Sequence, residues 1–200
     1  MTRRVDPKIE KIVGREVSQN VKDTDSRYER ERDLLLDELD EVGLSVLAVH
    51  EAAHEHYFYL SGKVVLKFVP PVVRFRKDKP KPFKKQLAGV HLRSWEPFPE
   101  DSEFIWLLKT AKALAAGGTA CAEITTSRFR GDKNDRCRWN KTCAAAYKGR
   151  KTPTEIESIA EELWSRAKEK VGLEFTNEDL KAQIRKRGQE IMPHLFPWLQ

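Results

Sequence analysis

The sequence predicts an α+β fold, predominantly helical, with one small β-sheet. Three observations carry this reading. Apolar residues recur at helical spacing over Leu44–Leu60 and again over Phe104–Ala115. Helix-start signals stand in the C-terminal part of the chain, at Thr152-Pro153-Thr154-Glu155 and at Thr176-Asn-Glu-Asp. By contrast, only Lys63–Pro70 and Gln86–Leu92 have the short, β-branched or alternating character of strands.

Taken in order, residues 1–26 are polar with a thin apolar series at Val5, Ile9, Ile12/Val13, Val17 and Val21. They read as an N-terminal arm ahead of a single domain over 27–200. Ser26 can cap a helix whose core edge is Leu34, Leu35, Leu36 and Leu39 and which Gly43 ends. The Leu44–Leu60 helix follows and closes near Ser61-Gly62. Lys63–Pro70 is the first strand, broken by Pro70-Pro71, and Val72–Phe75 extends briefly before a basic loop over Arg74–Lys85. In the second strand, Leu87, Gly89 and His91 face one way and Ala88, Val90 and Leu92 the other.

Asp101 or Ser102 caps the next helix, which buries Phe104, Ile105, Leu107, Leu108, Ala111, Leu114 and Ala115. Gly117-Gly118 would ordinarily end it, yet Ala120–Ile124 resumes helix-compatible residues. Arg128–Asn134 reads as a loop, and Asp135 begins a further segment rich in alanine at 144–146. The Thr152-capped helix is expected to stop at Val171, before Gly172, and the last helix to run from Thr176 to about Ile191.

Composition narrows the class. Two hundred residues suit one domain with a proper core. Three cysteines without a Cys-x-x-Cys pair argue against a disulfide framework and for a reducing compartment. No apolar run approaches the ~20 residues of a membrane span, and the first residues lack a signal peptide's apolar core. A cytoplasmic location with no membrane partner is the expectation. The net charge of +6 is spread diffusely. Solvated loop charge accounts for Arg74–Lys85 better than a nucleic-acid site does.

The chemistry concentrates at His50-Glu51-Ala52-Ala53-His54, an H-E-x-x-H pattern. Residues i and i+4 share one helical face, so two imidazoles can converge on a Zn²⁺ while Glu51 reaches its water. A third ligand is needed. By residue type the candidates are His56, His91, Glu96, Glu123, Asp132 and Asp135, of which His56 lies roughly 240° round the helix from His50 and points away.

Several segments, in order, resemble the peptidase domain of FtsH-type metalloproteases and their stand-alone relatives. They are Val49-His-Glu-Ala-Ala-His54, Tyr59-Leu-Ser-Gly-Lys-Val-Val65 and Ala88-Gly-Val-His-Leu92, then Leu114-Ala-Ala-Gly-Gly-Thr-Ala-Cys-Ala-Glu123 and Gly131-Asp-Lys-Asn-Asp135. The resemblance covers roughly residues 44–147 and implies a zincin-like fold. It makes Asp135 the third zinc ligand and places Glu123 behind the ligands rather than on the ion. It also implies that Gly117-Gly118 lie inside one long helix from about Ser102 to about Ile124. The chain departs from the family in carrying Ala53 where a glycine is usual and in a shorter interval between Glu123 and Asn134-Asp135. It also has no Walker-A Gly-x-x-x-x-Gly-Lys-Ser/Thr.

The expectation is therefore zinc-dependent, ATP-independent hydrolysis of unfolded or flexible polypeptides, with a separate ATPase or adaptor as a possible partner. His50, His54 and Asp135 would bind Zn²⁺, and Glu51 would act as general base and then acid. Ala88, Gly89 and Val90 would offer a strand edge to the substrate. The competing classes are a zinc-stabilised adaptor without turnover and a basic nucleic-acid-binding protein.

Overall fold

The computed structural model describes residues 43–69, 72–74, 84–86, 89–92, 102–125 and 132–195. The predicted N-terminal arm and the Ser26-capped helix lie outside the described residues. Helix α1 spans Leu44–Leu60. Four short strands follow: β1 Val65–Val69, β2 Val72–Arg74, β3 Lys84–Gln86 and β4 Gly89–Leu92. Among the described residues, four helices complete the order: α2 Glu103–Ile124, α3 Asp132–Ala146, α4 Pro153–Glu174 and α5 Glu178–Leu195.

The protein is mostly helical with small antiparallel β-structure, as the sequence indicates. Among the described residues the β-structure is divided into two ribbons, β1 with β4 and β2 with β3. Val65 pairs with Leu92 and Val69 with Gly89, with a register shift between Val65 and Lys67. Two expectations change here. Gln86–Leu92 is not one strand: Gln86 ends β3, Gly89 starts β4, and residues 87–88 lie outside the described residues. The ends of the expected basic loop are paired, since Val72–Arg74 and Lys84–Gln86 form a ladder. Charge patterning does not register backbone pairing, which is why this ribbon escaped the sequence.

Helix α1 is the centre of the packing. It is apolar on nearly every side, and Leu47 through His54 are buried without interruption. Only a helix covered on several flanks can bury such a run. Its covers are chiefly α2 and α5, with β1 and β4 against it as well. Gly62, at φ 71°, supplies the left-handed residue that ends the helix, and the Lys63 N–H returns to the Phe58 carbonyl at 2.8 Å.

Helix α2 does run unbroken through Gly117-Gly118, with Ser102 capping its start. Two glycines cost ~1 kcal/mol each against alanine in a helix interior. Both are buried, and the contact at Gly117 described below explains one of them. Helix α4 has the expected capping box at Thr152 and Glu155 but passes Gly172 and stops only at Glu174. Tertiary anchors override that glycine: Val171 and Phe175 are fully buried, and Glu174 accepts from the Tyr57 hydroxyl and from Lys112. Helix α5 is capped by Asn177 rather than Thr176, since the Asn177 Oδ1 accepts from the Asp179 and Leu180 N–H groups. It continues past Ile191 to Leu195, whose burial holds the last turn despite Pro193.

Helix α3 begins at Asp132, three residues before the expected start. The polar Asp-Lys-Asn-Asp run looks like loop, but acidic residues are favoured in a first helical turn by the backbone dipole. Trp139, fully buried, locks this helix down. Its indole N–H donates to the Ala160 carbonyl at 2.8 Å, and its ring stacks on Trp164 at 6.5 Å between centroids. Trp139 is one turn beyond Asp135, so the same contact aims Asp135 inward.

Candidate metal centre

Helices α1, α2 and α3 meet at a buried polar cluster inside a largely apolar core. His50 and His54, one turn apart on α1, stand edge to face with their ring centroids 4.6 Å apart. Their Nε2 atoms are 3.0 Å from each other. Asp135 Oδ2 comes in from α3 to 3.4 Å from each of them. His50, His54 and Asp135 form the one such ligand group of His, Cys, Asp or Glu among the described residues, and all three are buried.

The residues present fit a metal ion. Two N donors and one O donor at bond lengths of 2.0–2.1 Å on tetrahedral corners would be roughly 3.3 Å apart, the spacing the three atoms have. The proton placement agrees. His54 Nδ1 faces the Ala113 carbonyl at 2.7 Å, and a carbonyl can only accept. Nδ1 of His54 therefore carries a proton, which leaves Nε2 as the ring atom that can ligate an ion. Gly117 completes the cradle: an added Cβ would stand 2.6 Å from His50 Cε1, His50 Nε2 and His54 Nε2. It also lies one turn beyond Ala113, where the absent side chain leaves that carbonyl open to His54.

Glu51 is 4% exposed, and its Oε2 has no hydrogen-bond partner among the described residues. A buried carboxylate oxygen without a partner is costly and calls for a functional account. Burial pushes its pKa up, and the two histidines offset only part of that. Burial also disfavours the His50 imidazolium, but hydrogen bonds to Asp135 and Cys121 and the Glu51 charge outweigh it, for a net upward shift. At Asp135, burial acts to raise the pKa, but the charges and hydrogen bonds of the two histidines hold the carboxyl far below its ordinary range. Proton and metal would thus compete for the same atoms.

Of the other sequence candidates, His56 is half-buried against the Tyr57 ring, away from the cluster. Glu123 is exposed, two residues and roughly 200° round α2 from Cys121. It is Cys121, not Glu123, that contacts His50, at 3.6 Å. Gly89 and Val90 lie in β4, which has β1 on one edge and no strand on the other among the described residues. Ala88, Glu96 and the His91 and Asp132 side chains lie outside what is described. Sequence reasoning missed Ala113 and Cys121. The spacing Ala113-x-x-x-Gly117-x-x-x-Cys121 was the available signal, since it puts three small residues on one face.

No family model, no curated protein and no solved structure matches this chain.

Proposed function

We propose that the protein is a zinc-dependent metallopeptidase with a zincin-like, FtsH-type peptidase domain, acting on unfolded or flexible polypeptides in the cytoplasm without ATP. The observation that carries this reading is the buried Glu51 Oε2, without a hydrogen-bond partner among the described residues, beside the His50/His54/Asp135 group. The donor set alone would suit Zn²⁺ or an Fe²⁺ site. A purely structural centre has no need of an orphaned carboxylate next to it, whereas hydrolysis needs an acid–base group there.

In this scheme His50, His54 and Asp135 hold the ion. Bound there, Zn²⁺ supplies Lewis acidity that activates water and polarises the scissile carbonyl. Glu51 takes the proton of the attacking water as its oxygen bonds to the carbonyl carbon. It then gives that proton to the leaving amine as the C–N bond breaks. Desolvation keeps Glu51 less acidic than a free glutamate, which suits a group that must both accept and return a proton. Gly89 and Val90 would place the substrate main chain against the edge of β4 opposite β1, which has no strand among the described residues, giving affinity with little sequence selectivity. Folded substrates would require a separate ATPase or adaptor.

The test pairs zinc analysis with cleavage of a flexible substrate such as casein on one preparation. Glu51→Gln is nearly isosteric and should keep zinc while cutting hydrolysis by about 10²–10⁴-fold. Undiminished cleavage by zinc-loaded Glu51→Gln would rule out the mechanism. A zinc-loaded wild type inert on many flexible substrates would shift the reading to a non-catalytic adaptor.

A further inference from the structure

One face of α2 backs the histidine pair with residues spaced by four. Ala113 offers its carbonyl to His54, Gly117 leaves space for both rings, and Cys121 lies against His50. Only the last of these contributes a side-chain polar atom. The Cys121 Sγ is 3.6 Å from His50 Nδ1, and the same sulfur donates to the Val46 carbonyl at 3.8 Å. A carbonyl accepts and cannot donate, so the thiol proton belongs on the Val46 side. The sulfur is then left to accept from the His50 Nδ1–H.

We propose that Cys121 is the positioning residue that sets the His50 tautomer, holding a proton on Nδ1 so that Nε2 is the ring atom left to ligate an ion beside His54 and Asp135. The thiol does not join the ligands, because it lies behind the ring while the Nε2 side faces the cluster. The reversed arrangement, with the thiol donating to Nδ1, would put the His50 proton on Nε2 and bar it from ligation. Full burial of Cys121 keeps water from substituting for the sulfur. The two histidines are therefore held unequally: His54 by a strong acceptor at 2.7 Å, His50 by a weak one at 3.6 Å. Partners of this kind typically tune metal affinity through the ring they hold.

This inference rests on the reading of the cluster as a metal centre. Zinc affinity should be measured by competition with a chromophoric chelator for the wild type, Cys121→Ser, Cys121→Ala and Cys121→Val. Long-range ¹H–¹⁵N correlation spectra of the zinc-loaded wild type would report the histidine tautomers. Serine keeps a group that accepts from Nδ1–H and should hold affinity within about threefold. Alanine and valine should each weaken it by about 10–100-fold, and the agreement of the two separates a lost hydrogen bond from a cavity, since valine fills the space. His50 should show its proton on Nδ1. Wild-type affinity in both the alanine and valine variants would overturn the proposal, as would equal losses in serine, alanine and valine, or a His50 proton on Nε2. A wild type that takes up no zinc would instead overturn the metal reading beneath it.

Discussion

Helix α1 is flanked by two glycines from different helices, and the difference between the contacts is instructive. On the α2 side, a Cβ at Gly117 would strike the ring atoms of His50 and His54 at 2.6 Å. On the α5 side, a Cβ at Gly188 would meet main chain, Val49 N at 3.2 Å and Ala48 C at 3.3 Å. The α5 flank is otherwise a packing surface with one bidentate ion pair, Arg187 to Glu55 at 2.6 and 2.7 Å. The same residue type thus serves a cluster of converging donors on one flank and a close backbone approach on the other. The two flanks should respond to mutation in different currencies, metal affinity on the first and stability on the second.

The largest effect should come from the proposed ligands themselves. Asp135→Ala and His54→Ala should each lose most bound zinc, while His56→Ala, on the far side of the ring pair, should keep it. Because a metal that binds only the folded state stabilises it by ~2.7 kcal/mol at a hundredfold excess over Kd, the loss should also lower Tm. Elemental analysis and thermal melts with and without chelator check both. If Asp135→Ala keeps its zinc, the cluster is not the metal centre.

Next in size is Gly117→Ala. The added methyl forces two buried rings apart or tilts them, so zinc affinity should fall by at least about 10-fold, the range seen when groups behind metal ligands are disturbed. Helix propensity works the other way by ~1 kcal/mol, so the metal-free protein should lose about 1 kcal/mol less stability than the ring displacement alone costs. Wild-type zinc affinity in Gly117→Ala would break the contrast between the two flanks.

That contrast also shows what the sequence could and could not convey. The His50/His54 pair was legible because i,i+4 spacing on an apolar helix leaves few alternatives. Asp135 was not legible from spacing at all, since it reaches the cluster from another helix, held there by Trp139 against α4; only the resemblance singled it out. The resemblance likewise implied an unbroken α2, which local rules at Gly117-Gly118 oppose, because the compensating contact comes from α1. Glu123 shows the converse failure. A motif position was carried over, but the helix turns it to solvent and presents Cys121 instead. The short ribbon at Lys84–Gln86 was hidden by its charge.

A smaller effect, measured as a slope, should appear with pH. The raised pKa of His50 means its contribution to the metal-free fold is present below its ordinary value of 6.5 and is lost as pH rises through the higher folded value. Glu51, shifted up by burial, adds a loss of the same sign above its ordinary 4.5. Asp135 acts oppositely: its lowered pKa gives stability above its ordinary 3.8 that disappears as pH falls. Chelated protein should therefore be most stable near about pH 4 to 4.5, decline above it through Glu51, and decline further above pH 6.5 through His50. Zinc should stabilise increasingly over pH 6 to 8, as the competing proton leaves. Melts at both ends of that range, with zinc and with chelator, should diverge as pH rises; parallel curves would mean that no proton is displaced.

The smallest effect should be at Gly188→Ala. Its Cβ meets backbone at 3.2–3.3 Å, so α1 and α5 must separate by a few tenths of an ångström. Overpacking of that kind typically costs ~1–3 kcal/mol. The gain from replacing a helical glycine is ~1 kcal/mol, which leaves a net loss of about 0–2 kcal/mol. The Arg187–Glu55 pair resists the separation, because its two parallel bonds hold the helices in one register. Zinc affinity should stay at the wild-type value, since the rings point to the α2 side and Val49 can move without turning them. Denaturant melts of the chelated protein would give the stability term, and the same chelator competition would give the affinity. A Gly188→Ala variant that loses zinc as Gly117→Ala does would show that α1 transmits strain between its flanks, and that the cluster depends on the position of the whole helix rather than on the contact at Gly117.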